Sequence, residues 1–473
     1  MWLLVAAGLG GCKKFLDLKP DSQIPTDNFY KNASDFQSAL DGIYGTVRGL
    51  YSSSNSIYMG ELSTDNLEIQ WSSPSVSEMQ LDQNAVTSTN SYTAAVWNSC
   101  LVTVSRCNAI LNRIDKMNFA QATKDRIKGE TRCLRGLANF YLVQIFGGVP
   151  LTDQEFTSPS QIQGADLSRQ DSSKVYASVL SDLKQAESLL PATLNTDKTS
   201  ISIGAVKTIL GKVYLTMHNY QLAADKLKEV IDAQQYSLAT NYKTLFSAGN
   251  NNQGESIFEV QYVSGKSLGN NYSYLFAPAI TSMAIFLNNQ QGAGRMVPTL
   301  NMINSYETGD LRKAASVNDS VLLVTGKKTY NRYGLKFVDF QAVDVTDGSV
   351  TYTVLRYADV LLMYAEALNE LHKTADALPY FNLVHQRAGL TGLTSTPSED
   401  DFRSIMEKER KVEFLYEGWR WYDLRRTGRL KDVLNAAYAA QGLSYKVEDF
   451  ELLFPVPQGE IDLNPLVKQN PGY

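Results

Sequence analysis

The chain has 473 residues, 44% of them hydrophobic and 20% charged, with a formal net charge of −5. That length and balance suit a globular protein with a large core. The mild acidity, without any basic stripe, argues against a nucleic-acid partner. Beyond Cys12 no run of 18 apolar residues occurs, so no membrane-spanning helix is expected there.

The first eleven residues, MWLLVAAGLGG, are apolar or small and uncharged. A bilayer span needs about 20 residues, whereas the apolar core of a secretion signal runs to roughly 7–15. Leu9-Gly10-Gly11-Cys12 resembles a bacterial lipoprotein signal, although no basic residue precedes it. That resemblance implies cleavage before Cys12 and acylation of its thiol, which would tie the protein to a lipid bilayer. Residues 1–11 are therefore set aside as a signal segment. Residues 12–30, with two prolines and little periodicity, read as a lipid-anchored tether and extended lead-in. If Cys12 carries lipid, Cys100, Cys107 and Cys133 remain. They form no CxxC and cannot all pair, so buried thiols are expected rather than a disulfide framework or zinc site.

From residue 31 to 236 the pattern is helical. Phe36, Leu40, Ile43 and Val47 recur at helical spacing, as do Trp97, Leu101, Val104, Leu111 and Ile114. The stripes continue in 130–146 and 173–190. Between the first two lies 51–92, rich in Ser, Asn and Thr, which reads as a long loop region. A helix pair follows. Val206, Ile209, Leu210 and Val213 lie before a short turn at His218-Asn219-Tyr220, and Ala223, Leu227, Val230 and Ile231 after it. The design returns at 356–388. Such pairs resemble tetratricopeptide units, but their irregular spacing predicts a decorated bundle rather than a regular solenoid.

The region 237–473 is more mixed. SIFEVQYV (256–263) and 320–324 read as short strands, separated by Gly- and Asn-rich loops. The last 21 residues hold four prolines and are expected to be an extended tail docked on the body, without a helix. The fold class is thus mainly α: tetratricopeptide-like helix pairs in an irregular bundle, with a loop-rich face and a few short strands. The 31–236 and 237–473 regions are expected to pack as one unit.

Three constellations carry chemical potential. Gly265-Lys266-Ser267-Leu268-Gly269 matches the nucleophile elbow GxSxG, but no helix clearly starts after it and no histidine follows within a hundred residues. The three histidines (His218, His372, His385) are scattered, which disfavours a triad or histidine metal site, and no cofactor is expected. The second constellation is IMEKERKVEFLYEGWRWYDLRR (405–426). Glu409, Glu413 and Glu417 recur every four residues, and three like charges on one helical face repel unless they are solvated or neutralised. Gly418 is expected to break the helix and let Arg420, Arg425 or Arg426 fold back onto them, giving a buried structural network. Carboxylates so placed would make poor general acids for glycoside cleavage. The third is diffuse. Asp65, Asn66, Glu68 and Trp71 lie in one polar loop, Tyr272, Tyr274 and Phe276 in another, and Arg295 closes the run NNQQGAGR. Aromatic faces can stack on sugar rings while Asp, Asn and Arg bind the hydroxyls. Asp65, Asn66, Trp71, Tyr272, Tyr274 and Arg295 are the expected ligand contacts.

Five stretches in this order resemble the SusD/RagB-like outer-membrane lipoproteins of Bacteroidetes. They are Cys12-Lys-Lys-Phe-Leu-Asp-Leu-Lys-Pro, the Trp97 to Asn108 helix, Arg356-Tyr-Ala-Asp-Val-Leu-Leu-Met-Tyr-Ala-Glu-Ala, the Glu409 to Arg425 segment, and the Leu453-Phe-Pro-Val-Pro to Tyr473 tail. The resemblance implies a non-catalytic protein, lipid-anchored at the outer membrane and facing outside. It would capture a glycan, or in some members a peptide, and deliver it to a partner TonB-dependent transporter. A secreted hydrolase using Ser267 or a glutamate pair, and a pure protein-binding scaffold, are the alternatives.

Overall fold

The computed structural model describes residues 29–473, apart from 53–54, 71–72, 194–195, 281–285 and 287–289. The expected signal segment, Cys12 and Trp71 lie outside the described residues.

Helix α1 (Ala33–Ser52) buries Phe36, Leu40, Ile43, Val47 and Leu50, the stripe visible in the sequence. Helix α2 (Ser91–Arg113) begins at Asn90, whose side chain accepts from the Tyr92 and Thr93 N–H groups at 3.0 and 3.3 Å. This satisfies two of the donors that a helix start leaves without partners. Helix α3 (Gln121–Phe146) is buried along its whole second half and lies between α2 and α4 (Ser172–Leu189). Cys100, Cys107 and Cys133 are buried thiols on α2 and α3.

The two expected helix pairs are α5 (Ile203–Thr216) with α6 (Tyr220–Asp232), and α7 (Tyr357–Glu370) with α8 (Thr374–Arg387). Helix α7 also packs on α5 and α6, so the pairs stack although more than a hundred residues separate them. Helices α9 (Glu399–Glu413), α10 (Arg420–Arg426) and α11 (Leu430–Ala440) complete the bundle. Apolar residues from Phe36 to Val467 form one continuous core.

Among the described residues strands pair in twos, all antiparallel: β1 (Leu67–Glu68) with β5 (Val297–Pro298), β2 (Val149–Pro150) with β3 (Arg169–Gln170), β4 (Ser256–Val260) with β8 (Tyr352–Arg356), and β6 (Val317–Leu322) with β7 (Lys328–Gly334). Two of these ladders, β1–β5 and β4–β8, join segments distant in sequence, and β1–β5 positions the candidate site.

Two expectations are corrected. The 51–92 stretch is not one long loop. It contains a fully buried π-helical turn, Tyr58–Leu62, and a helix, Val76–Asp82. Ser75 and Glu78 close a reciprocal capping box at that helix start. A π turn has no repeating hydrophobic signature, so its Ser- and Asn-rich surroundings concealed it. The tail does contain a helix, Gln458–Leu463. Its prolines flank that helix instead of interrupting it, and Pro457 stands at the start, where a missing N–H costs nothing. The tail is docked on the body. The Phe454 N–H donates to the Ile145 carbonyl at 2.9 Å and the Asn470 amide to the Phe146 carbonyl at 3.1 Å, pairing two carbonyls at the end of α3.

Candidate functional site

Helix α9 is acidic in its first turn and basic in its last, which suits the helix dipole. It stops at Glu413. The turn that follows uses positive φ at Tyr416 (68°) and Gly418 (75°), so Glu417 leaves the helical face of Glu409 and Glu413. All three carboxylates are buried and each meets cations. Glu409 accepts from Arg312 at 2.6 Å and contacts His385 at 2.9 Å. Glu413 accepts from Arg312 at 2.9 Å, Arg356 at 2.6 Å, and Arg387. Glu417 accepts from Lys336 at 2.5 Å and from Arg356 twice at 2.8 Å. Glu255 bridges Arg356 and Arg387.

The arginines expected to neutralise this face do something else. Arg420 pairs with Asp65 at 2.9 Å, and Arg425 donates to the Leu452 carbonyl at 2.7 Å with its guanidinium over Trp421. The counter-charges come from Arg312, Lys336, Arg356 and Arg387, which α10 is not needed to supply. Burial pushes the Glu413 carboxyl up, but Arg387, Arg356 and Arg312 outweigh it and hold it well below the usual carboxylate range. A carboxylate held ionised in this way cannot serve as a general acid near neutral pH.

Asp65 and Asn66 belong to the same interior. Burial raises the Asp65 carboxyl, and Arg420 and Lys411 reverse the effect and hold it low. Lys411 reaches Asp65 at 2.6 Å. The Asn66 amide donates to Glu61 at 2.7 Å, and the Gly418 N–H donates to the other Glu61 oxygen at 3.1 Å. Burial pushes Glu61 up to about 8, against those hydrogen bonds and the charges of Lys336 and Arg420. A protonated Glu61 has a ready acceptor if the Asn66 amide turns over, because Asn66 Oδ1 is buried without a donor. The folded state therefore keeps a proton that the unfolded chain releases near pH 4.5. The stabilisation is whole below that pH and fades as pH rises towards 8. Relative to Glu61→Gln, the unaltered protein is expected to lose stability between pH 5 and 8, read as urea midpoints at both pH values. Parallel curves would show that Glu61 ionises normally.

Tyr272 is also interior. Its ring is fully buried and its hydroxyl donates to the Tyr51 carbonyl at 2.9 Å. Asp65, Asn66 and Tyr272 thus offer no surface to a ligand, contrary to expectation. Each had a polar group that could serve a ligand, but each instead satisfies a buried partner.

The expected loops do meet. The Thr299 hydroxyl and N–H donate to the Asp65 and Asn66 carbonyls at 2.8 and 2.9 Å. The Ala293 and Arg295 N–H groups donate to the carbonyls of Tyr274 and Leu275. Segments 65–70, 272–277 and 290–299 are therefore one assembly. At its surface Tyr274 is half-buried. The Arg295 side chain is 28% exposed and is held by Glu78 at 2.6 Å. Glu78 also accepts from Tyr58, whose ring stacks on the half-exposed Tyr92 with centroids 4.1 Å apart. Glu68 pairs with Arg332 at 2.6 Å. Aromatic edges beside ion-paired donors and acceptors can hold the faces and hydroxyls of a sugar.

Ser267 is exposed in the turn between the bridged residues Val263 and Leu268, at φ 55°. The nearest helix after it spans Tyr272–Phe276, so no strand–turn–helix elbow forms.

The SusD family profile matches residues 315–473, and a profile described as "Starch-binding associating with outer membrane" matches 14–215. SusD-like protein P2 of Formosa agariphila is 25% identical over 513 aligned positions, covering 100% of this chain and 99% of that protein. The chain belongs to the SusD/RagB-like family. Starch-binding protein SusD of Bacteroides thetaiotaomicron is 25% identical, over 78% of this chain and 76% of its own. Among solved structures, a laminarin-binding SusD-like protein superposes with a TM-score of 0.80 at 26% identity, covering 94% of this chain and all of that one. In this SusD-like chain the helical hairpins were legible in the sequence and the loop assembly was not. Glu78, Tyr92 and Arg332, which hold or flank the candidate surface, were missed. Only the Ser75-x-x-Glu78 capping spacing pointed to any of them.

Proposed function

We propose that this chain is a non-catalytic surface protein that captures a glycan at the outer membrane and passes it to a partner TonB-dependent transporter, anchored through acylated Cys12. The observation that carries this reading is the joining of the 65–70, 272–277 and 290–299 segments into one polar, aromatic-edged surface on a rigid helical body. Relatives named for starch and laminarin binding support carbohydrate as the ligand class. The membrane association named in one matching family description supports the location. The exposed, elbow-free Ser267 and the ion-paired glutamates support capture without cleavage.

The test is the purified protein against soluble polysaccharides and peptide mixtures, following tryptophan fluorescence together with new reducing ends and amines. Saturable binding without product supports capture, and a responding peptide instead of a glycan changes the ligand class. Product formation overturns the reading. Trp71→Ala is expected to weaken capture about tenfold, a loss of about 1.4 kcal/mol, with unfolding unchanged. An unaltered affinity places the site elsewhere. Cys12→Ala is expected to release the protein from membranes in a detergent-partition assay. Retention in the detergent phase would refute the anchor.

A further inference from the structure

A cleft of about 630 Å³ opens between α6, α7, α9 and α10 and shares no residue with the loop assembly. Its size is that of small-ligand pockets, roughly 300–1,000 Å³. The His218 and Tyr220 rings stand at one end, near-parallel at 20° with centroids 5.8 Å apart. His218, at φ 59°, is fixed by its ring contact to the Arg426 carbonyl at 2.8 Å. Tyr220 is half-buried and lines the cleft. The His218 ring is therefore anchored and the Tyr220 ring stacks on it, so together they offer an aromatic platform.

The remaining lining decides the ligand class. The guanidiniums are already matched with carboxylates. Arg403 grips Glu370 through two bonds of 2.7 and 2.9 Å. Arg429 meets Glu407 at 3.1 Å, and Arg426 takes Glu366 and Asp423. Arg410 shares Asp423, Arg420 holds Asp65, and Arg425 is turned to the Leu452 carbonyl. A phosphate or sulfate would have to displace a carboxylate from Arg403, Arg410, Arg420, Arg426 or Arg429, and Arg425 is turned to a carbonyl, so the lining does not favour an anion. The four main walls are helices whose backbone groups bond internally, so no sheet edge exists to receive an extended peptide. Alternating donors and acceptors beside an aromatic platform instead match a neutral ring with adjacent hydroxyls. One hydroxyl can donate to a carboxylate and accept from its guanidinium partner.

We infer that this cleft is a second saccharide site, taking two or three residues of a neutral oligosaccharide across the His218–Tyr220 platform. It rests on the capture reading only for the choice of carbohydrate, since no residue is common to the two surfaces.

His218 is one of three histidines and makes the cleft directly observable. The full chain, labelled at the histidine ring carbon and assigned with His218→Gln, would be titrated with laminarihexaose and maltohexaose while tryptophan fluorescence is recorded. Saturable movement of the His218 signal, with buried His385 still, is expected with one of the two sugars. It should persist in Trp71→Ala and weaken at least tenfold in Tyr220→Ala. A fluorescence response with His218 motionless overturns the cleft and leaves the loop site standing. Movement of His218 without any loop response does the reverse. Neither responding, or equal movement with sodium sulfate, also overturns the inference.

Discussion

Glu413→Ala is expected to destabilise the protein by about 3–5 kcal/mol, the range found when one member of a buried ion pair is removed. Glu413 has no solvent exposure and meets Arg312, Arg356 and Arg387 at once. Alanine would leave three guanidiniums sharing the remaining acids. Arg312 would keep Asp310 and Glu409, and Arg356 would keep Glu255 and Glu417, so the cations are stranded only in part. Urea unfolding, with the slope unchanged, measures the effect. A loss below about 1 kcal/mol would show a hydrated network, since exposed pairs contribute that little. Glu413→Gln keeps the shape and should still lose most of the same stability, because charge is what the arginines require.

The second large effect is at Gly60, inside the π-helical turn. A Cβ there would lie 2.0 Å from the Gly418 carbonyl oxygen and 2.5 Å from its carbon. Both are backbone atoms, so no side chain can swing away. The Gly418 N–H is also tied to Glu61. Gly60→Ala must therefore push the Tyr58–Leu62 turn away from the 414–419 turn, at about 3 kcal/mol, the upper part of the overpacking range. The displacement would pull on Glu61, Asn66 and the strand Leu67–Glu68, so saccharide affinity should fall together with the melting temperature. Gly45→Ala is the control, because nothing lies within 4 Å of the new carbon in helix α1. Equal melting temperatures for the two variants would remove the close contact.

What could be read in advance follows from how local each signal is. The stripes of α1, α2 and the two hairpins need only a few turns of helix to declare themselves, and the structure contains them. The repulsion among Glu409, Glu413 and Glu417 was equally visible, and so was the need for cations. Their identity was not, because Arg312, Lys336, Arg356 and Arg387 carry no spacing that relates them to α9. The same limit affected the ligand surface. Asp65, Asn66 and Tyr272 look like recognition groups in a polar stretch, yet each is consumed by an interior partner. Tyr274 and Arg295 remain at the surface, while Glu78 reaches Arg295 and Arg332 reaches Glu68 through tertiary contacts alone.

The interior charge network has a consequence for the order in which the protein folds. Asp65 waits for Arg420, 355 positions later, and Arg312 waits for Glu413, 101 positions later. Asp65, Arg312 and Arg356 all precede in the chain the 409–420 segment that binds them. Collapse of the earlier part alone would draw uncompensated charge into a low-dielectric interior, while contacts of such long range close slowly. The 409–420 segment thus completes the network: its docking is what permits the centre of the molecule to dry.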